Sequence, residues 1–314
     1  MARRGSLAVN RYASIDIGTN AVLLLVMESN AGLTDLCDTS TITRLGEGVL
    51  TSGRLTDAAM ERTVRALEGY CQILDSYGVG AVDCFGTSAL REAENRDDFI
   101  RMVRRRTGIH VRVISEYQEA YYTYLSVRDD AAIKGERLLI VDIGGGSTEI
   151  SRGSRKRFLD YVSLPVGTVK LTERFVRHDP PLPEEQEELV SFVRRQVGGA
   201  FTEGAHGDWN IVGMAGTITT LATMILGLRV FDKKKIHGMT VSLATLHEWI
   251  EQLSGMTCDA RKTLPGMEPG REDLLLQGMI LMRQIVATFG DTHFTVSTYG
   301  ARYGVIYEAL GGGA

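Results

Sequence analysis

The chain has 314 residues, with 35 Lys and Arg against 39 Asp and Glu, a formal net charge of −4, 44% hydrophobic and 24% charged residues. That balance excludes a chain disordered throughout and a duplex-DNA binder with a basic coat. At ~100–200 residues per domain it suggests two domains, each long enough to bury its own core. Cysteines at 37, 71, 84 and 258 have no C-x-x-C spacing, which argues against a zinc knuckle or a disulfide framework and for reduced thiols. The longest purely apolar run, residues 21–27, falls far short of the ~20 residues that span a bilayer. Leu7-Ala8-Val9 behind Arg3 and Arg4 is too short for a signal-peptide core. The expectation is a cytoplasmic protein with no nucleic-acid and no membrane partner.

Residues 12–17 read as a buried strand and 22–28 as a second one after a tight turn. Residues 57–76 form an amphipathic helix with Met60, Val64, Leu67, Cys71 and Leu74 on one face and Thr56 as N-cap. A strand over 79–85, a polar helix over 96–106 and a strand over 109–114 follow, then a helix over 116–127. Residues 138–143 are the most apolar strand, with glycines directly after. Another strand covers 158–164. A helix over 183–201 starts acidic, at Glu184 and Glu185, and carries Arg194 and Arg195 later, as the helix dipole favours. A strand over 209–212, a helix over 217–226, a long apolar helix over 273–289, a strand over 293–296 and a helix over 302–310 complete the chain before a loose Gly311–Ala314 tail.

Strands and helices that alternate in this way mean an α/β protein. The segment from Ser14 to Asn20 is echoed by Ile140 to Ser147: each is an apolar strand carrying an acid, then glycine, then small polar residues. The echo suggests two similar domains facing one another, 1–127 and 128–298, divided near the polar stretch 127–134, with the helix in 299–311 packing back on the first.

Three loops carry the chemistry. Asp142–Glu149 reads D-I-G-G-G-S-T-E. Gly144, Gly145 and Gly146 let backbone N–H groups converge on a phosphate with no Cβ in the way. Ser147 and Thr148 add hydroxyls, and Asp142 and Glu149 are hard oxygen ligands of the kind Mg²⁺ shares with phosphate. The loop lacks the Lys-Ser/Thr ending of a P-loop. Asp16, Gly18, Thr19 and Asn20 form a first, weaker version; on its own that stretch also fits an ordinary turn with a capping Asp. Gly213, Ala215, Gly216 and Thr217 open a helix after a strand, which fits either a third anion or nucleotide loop or close helix–strand packing. By spacing alone Glu119 is a surface helix glutamate, and Arg91 is either a phosphate clamp or, more commonly, an exposed loop arginine. The runs Arg101–Arg106 and Lys233–Lys235 fit either solvated faces, the commoner case, or electrostatic guides for a polyanion. The histidines show no ligand spacing.

These loops, in this order, resemble the exopolyphosphatase and guanosine pentaphosphate phosphohydrolase (Ppx/GppA) family, in its short two-domain form. The resemblance rests on Asp16–Asn20, Thr43–Gly48, Thr87–Glu92, Val113–Ala120, Asp142–Glu149, Gly213–Thr217 and Pro265–Asp273. It implies two ribonuclease-H-like domains of the actin-like, sugar-kinase-like superfamily with the site in the cleft between them. It implies release of orthophosphate from the end of inorganic polyphosphate or from guanosine pentaphosphate, assisted by Mg²⁺ or Mn²⁺. Glu119 takes the place of the base that activates water, and Asp142 and Glu149 that of the metal-binding or water-orienting acids. Arg44, Arg91 and Arg271 are the cations expected near a polyanion, and a homodimer is the default assembly. The sequence departs from the family pattern at Leu23, where an arginine is usual, and at Glu116-Tyr117-Gln118 ahead of Glu119. An ATP-dependent phosphotransferase and a non-catalytic binder of polyphosphate or guanosine pentaphosphate are the rival readings.

Overall fold

The computed structural model describes residues 10–30, 32–80, 82–200 and 208–311. The chain divides into two units, one formed by the described residues up to Ser115 together with those from Arg302, the other by Glu116–Ala301. The first unit contains β1 (Asn10–Ile17), β2 (Ala21–Ser29), β3 (Leu33–Ile42), α1 (Val49–Ser52), α2 (Asp57–Ser76), β4 (Val82–Gly86), α3 (Ser88–Glu92), α4 (Arg96–Thr107) and β5 (Val111–Val113). The second contains α5 (Glu116–Arg128), β6 (Arg137–Ile143), β7 (Thr148–Ser154), β8 (Phe158–Leu164), α6 (Thr168–Phe175), α7 (Pro183–Gly198), β9 (Asn210–Met214), α8 (Ala215–Ile225), α9 (Lys233–Ile236), β10 (Thr240–Ser242), α10 (Leu243–Ser254), α11 (Cys258–Lys262), α12 (Leu275–Thr288) and β11 (His293–Val296). The last helix, α13 (Ala301–Ala309), takes the chain back to the first unit.

The two sheets repeat one plan. The first has the order β3-β2-β1-β4-β5 and the second β10-β11-β9-β6-β7-β8. In each, a three-stranded antiparallel meander (β1-β2-β3, β6-β7-β8) is extended by parallel strands beside its first strand (β4 next to β1, β9 next to β6). The echo between Ser14–Asn20 and Ile140–Ser147 is therefore an echo of topology. Both stretches run from the first meander strand into the turn that follows it.

Each sheet buries its own core. Ile15 and Ile17 of β1 and Val22, Leu24 and Val26 of β2 pack on Met60, Val64 and Leu67 of α2 and on Phe99 and Val103 of α4. In the second unit Leu139, Val141 and Ile143 of β6 meet Ile218 and Leu221 of α8 and Met279, Met282 and Ile285 of α12. Burial of each such side chain is worth about 1.5–3 kcal/mol. On α2 the Thr56 hydroxyl accepts from the Ala59 N–H at 3.2 Å, and Cys71 is half-buried at the margin of the apolar stripe.

The opposite face of β1 meets the returning helix. Ser14 Oγ donates to the Arg302 carbonyl at 2.7 Å, and the Arg302 guanidinium makes a two-pronged contact with Asp38 of β3, 3.0 Å to each oxygen. Burial alone would lower the Arg302 pKa, but Asp38 outweighs it and holds the pKa raised. The Tyr303 hydroxyl donates to Asp35 and Asp38, and burial pushes its pKa far up.

The structure differs from the sequence expectation in places. The first crossing between units is at Ser115–Glu116, not within 127–134, so α5 travels with the second unit. β3, β7, α6, β10 and α10, and the short helices α1, α3, α9 and α11, were not expected. β3 is polar, and a register shift at Val26/Met27 breaks the alternation of its partner strand. The helix expected over 183–201 ends at Gly198, and Phe201 lies outside the described residues, as do Arg3, Arg4 and the last three residues of the tail. All four cysteines are free. No helix among the described residues is long and apolar enough to cross a membrane.

Candidate active site

In the first unit, the β1–β2 turn is closed by Gly18, whose N–H donates to the Ala21 carbonyl at 3.0 Å. The next two carbonyls face inward. Thr19 O accepts from the Gly46 N–H at 2.9 Å, and Asn20 O accepts from the N–H groups of Thr43 and Arg44 at 3.0 and 2.8 Å. With their carbonyls tied back, Thr19 and Asn20 have amide N–H groups that make no hydrogen bond to other described residues. Arg44 reaches this geometry at φ 50°, a left-handed conformation that costs a non-glycine residue roughly 1–2 kcal/mol. The segment is held from outside by Arg62 of α2, whose Nε donates to the Thr43 carbonyl at 2.9 Å and whose Nη2 reaches Glu47 at 2.8 Å. Arg91 lies on α3, which follows the strand beside β1. Its Nη1 donates to the Ile114 carbonyl at 3.2 Å, so it is a half-buried, anchored side chain.

The second unit builds a loop by the same device. Gly144 N–H donates to Ser147 O at 3.0 Å. The first amides of α6 then take the loop's carbonyls: Thr168 N–H donates to Gly144 O at 3.0 Å, and Val169 and Lys170 donate to Gly145 O at 2.9 and 3.3 Å. This approach needs Gly167. A Cβ there would lie 2.4 Å from the Gly145 carbonyl carbon and 2.6 Å from Gly146 N. Carbonyls drawn toward α6 leave the N–H groups of Gly145 and Gly146 unbonded among the described residues, the arrangement that makes a backbone anion nest. The Thr148 hydroxyl, expected as an anion donor, instead donates to Val166 O at 2.7 Å and is fully buried. It braces the loop rather than facing a ligand.

Asp142 and Glu149 are direct cross-strand partners in the β6–β7 register. Side chains so paired share one face of the sheet, with Cβ atoms about 4.5–5.5 Å apart. Glu149 is 1% exposed and accepts from Ser163 Oγ of β8 at 2.9 Å. In the first unit the same place in the register, opposite Asp16, belongs to Leu23.

Glu119 is not the surface glutamate that its spacing alone suggests; it is 9% exposed. Its helix crosses the acidic face of the sheet: Ser151, two residues beyond Glu149 on β7, donates through Oγ to the carbonyl of Ala120 at 3.2 Å. Residues i and i+2 on a strand point the same way, so the start of α5 and the Asp142/Glu149 pair lie on one side. Tyr124 adds a hydroxyl donation to Ser154 O at 2.8 Å, its ring lying against Gly153.

The third loop ends β9, next to β6, with Met214 level with Asp142. Ala215 is left-handed, φ 68°, and with Arg44 it is the only non-glycine residue so placed among the described residues. Gly216 lies under the Arg271 guanidinium, where a Cβ would be 2.0 Å from Arg271 Cζ. Arg271 pairs with Glu268, which also accepts from Thr220 Oγ1 at 3.3 Å. Gly213 and Thr217 serve packing: a Cβ on Gly213 would meet Met282 and Phe294, and Thr217 fits against Gly278. Both readings of this loop therefore have residues behind them, with the cation at Gly216 and the close helix contacts on either side.

The structure thus gathers Glu119, Asp142, Glu149, the Gly144–Ser147 nest and the 213–217 loop with Arg271 in one unit, and Asp16–Asn20, Arg44 and Arg91 in the other. Sequence reasoning named Thr43 only as part of the Thr43–Gly48 stretch that carries the resemblance, and passed over Ser163 and Gly167, where only polar and glycine character gave a hint.

Residues 25–312 match the family model of the Ppx/GppA phosphatase family. The chain belongs to this family. Exopolyphosphatase 2 of Mycobacterium tuberculosis is 33% identical over 320 residues, covering 97% of this chain and 100% of that protein. A crystal structure of the Aquifex aeolicus Ppx/GppA family member superposes with a TM-score of 0.79 at 32% identity, covering 96% of this chain and 98% of that one. An exopolyphosphatase from Cytophaga hutchinsonii gives a TM-score of 0.86 at 27% identity, over 97% and 99%. The fold is the α/β fold of the Ppx/GppA family, with the actin-like architecture that the resemblance implied.

Proposed function

We propose that this protein is an exopolyphosphatase, a hydrolase that removes orthophosphate from the end of inorganic polyphosphate. The observation that carries the reading is the in-register Asp142/Glu149 pair beside a loop whose amides are turned outward by α6, with the buried Glu119 helix on the same face. The names of the Mycobacterium and Cytophaga relatives support the substrate class.

The Gly145 and Gly146 amides and Ser147 hold the terminal phosphoryl group. Glu119 accepts a proton from a water whose oxygen attacks the terminal phosphorus. The bridging P–O bond breaks, and the shortened chain leaves with the electron pair. Positioning and charge neutralisation are most of what such a reaction asks of a protein. Two adjacent carboxylates fit a divalent cation of the Mg²⁺ or Mn²⁺ type, which takes one or two carboxylates plus substrate oxygens rather than a protein cage. No cluster of three or more His, Cys, Asp or Glu that could form such a cage occurs among the described residues. Asp142 and Glu149 would hold the ion, which when bound offsets phosphate charge.

An orthophosphate-release assay with polyphosphate and with guanosine pentaphosphate, with and without divalent metal, tests the reading. Metal-dependent release from polyphosphate alone in the tube is the expected result. Tight binding without release would select a non-catalytic binder, and ADP formation requiring a second acceptor would select a phosphotransferase. Release from guanosine pentaphosphate only would move the substrate assignment.

A further inference from the structure

We propose that Thr43, at the end of β3, is a substrate-binding residue that works with the Asn20 side chain to contact phosphoryl oxygens; the proposal rests on the phosphate-binding reading of the 16–20 loop. The backbone of Thr43 is fully engaged: its N–H donates to Asn20 O at 3.0 Å and its carbonyl accepts from Arg62 Nε at 2.9 Å. Its hydroxyl is not. Thr43 is 2% exposed, and Oγ1 is buried with no hydrogen-bond partner among the described residues. Asn20 is 5% exposed, and both Oδ1 and Nδ2 are in the same condition.

Three orphaned polar atoms on two residues joined by a backbone hydrogen bond are unusual, because native proteins pair nearly all such groups. A threonine that could turn its hydroxyl onto a nearby carbonyl ordinarily does so. Outside the 16–20 loop and its Thr43 neighbour, such atoms among the described residues occur singly, at Asn210 and Ser254, or face one another, as His237 Nε2 and Asp130 Oδ2 do at 2.8 Å. The neighbourhood is also strained in the way functional sites are, with Arg44 held left-handed between Thr43 and Leu45. A fold that leaves donors without a protein partner at an anion loop has placed them for a ligand that brings the acceptors. A tetrahedral oxyanion does this: Thr43 O–H and Asn20 Nδ2–H donate to phosphoryl oxygens, and Asn20 Oδ1 takes a water carried in with the anion.

The test uses the full chain. Thr43→Val keeps the shape and removes the hydroxyl, and Thr43→Ser keeps the hydroxyl. Melting is followed by scanning fluorimetry with and without inorganic phosphate or pyrophosphate, alongside orthophosphate release from polyphosphate. For Thr43→Val the expected result is a ligand-free Tm raised by ~2–4 °C, most of the phosphate-induced Tm shift lost, and KM raised roughly tenfold or more. Thr43→Ser keeps the ligand shift. If Thr43→Val instead lowers the ligand-free Tm and retains the wild-type ligand shift, the hydroxyl is structural and the inference is wrong. If the wild-type chain neither shifts with phosphate nor releases it, the phosphate-binding reading itself has failed, and this proposal falls with it.

Discussion

Gly167→Ala probes how the second loop is aimed. The added Cβ would stand 2.4 Å from Gly145 C, 2.5 Å from Gly145 O and 2.6 Å from Gly146 N. Carbon contacts are comfortable near ~3.5 Å, so the backbone of the nest must retreat from α6 by about 1 Å. Backbone cannot swing aside as a side-chain tip can. The donations from Thr168, Val169 and Lys170, now 2.9–3.3 Å, would stretch beyond hydrogen-bonding range. Three weakened bonds at about 0.5–1.5 kcal/mol each put the stability loss at roughly 1–3 kcal/mol after partial relaxation. A misplacement of ~1 Å costs on the order of 10²-fold in rate, about 2.7 kcal/mol of transition-state stabilisation. The assay is kcat for orthophosphate release, with urea unfolding in parallel. Gly198→Ala, in α7 where an added Cβ meets no atom within 4 Å, is the control: it should stabilise by ~0.5–1 kcal/mol and leave kcat alone. A Gly167→Ala enzyme that turns over at the wild-type rate would show that the α6 contact does not aim the loop.

Thr148→Val removes the hydroxyl that donates to Val166 O. Because it leaves a buried carbonyl unbonded, it should cost about 1–3 kcal/mol in urea unfolding, with a smaller effect on KM than Thr43→Val. At Glu185, burial would raise the pKa, but hydrogen bonds from His178, the Leu182 N–H and Arg177 outweigh it and bring it down to about 2. A carboxylate whose folded pKa is depressed adds stability above its unfolded value, near ~4.3, and that stability drains away as pH falls toward about 2. Unfolding midpoints measured from pH 5 downward should therefore fall less steeply in Glu185→Gln than in wild type; parallel slopes would show that the residue is not linked to folding.

What the sequence carried and what it did not divide along the range of the interactions. The D-I-G-G-G-S-T-E loop is legible because its requirements are local: a strand end, glycines and flanking acids within eight residues. The alternation of strands and helices is legible for the same reason, since the apolar stripes of β6 and α2 are read from neighbours in sequence. The facing of Asp142 and Glu149 follows only once β7 is known to be a strand, and Gly153, placed there for the Tyr124 ring, disguises it. Gly167 looks like any loop glycine until α6 is seen docked on residues 144–145. Thr148 reads as a ligand hydroxyl because nothing nearby in sequence announces the Val166 carbonyl. Glu119 reads as a surface residue because the sheet that buries it follows in the chain. The resemblance to a family supplied an expectation for Glu119 that spacing could not.

Replacement of Glu119 by Gln, read as kcat and KM for orthophosphate release from polyphosphate, bears most directly on the proposed chemistry. The amide keeps the size and position of the side chain but accepts no proton from water. A fall in kcat of roughly 10²–10⁴-fold with KM nearly unchanged is the expected outcome. Wild-type turnover in Glu119→Gln, or losses confined to KM, would contradict a base role for this residue.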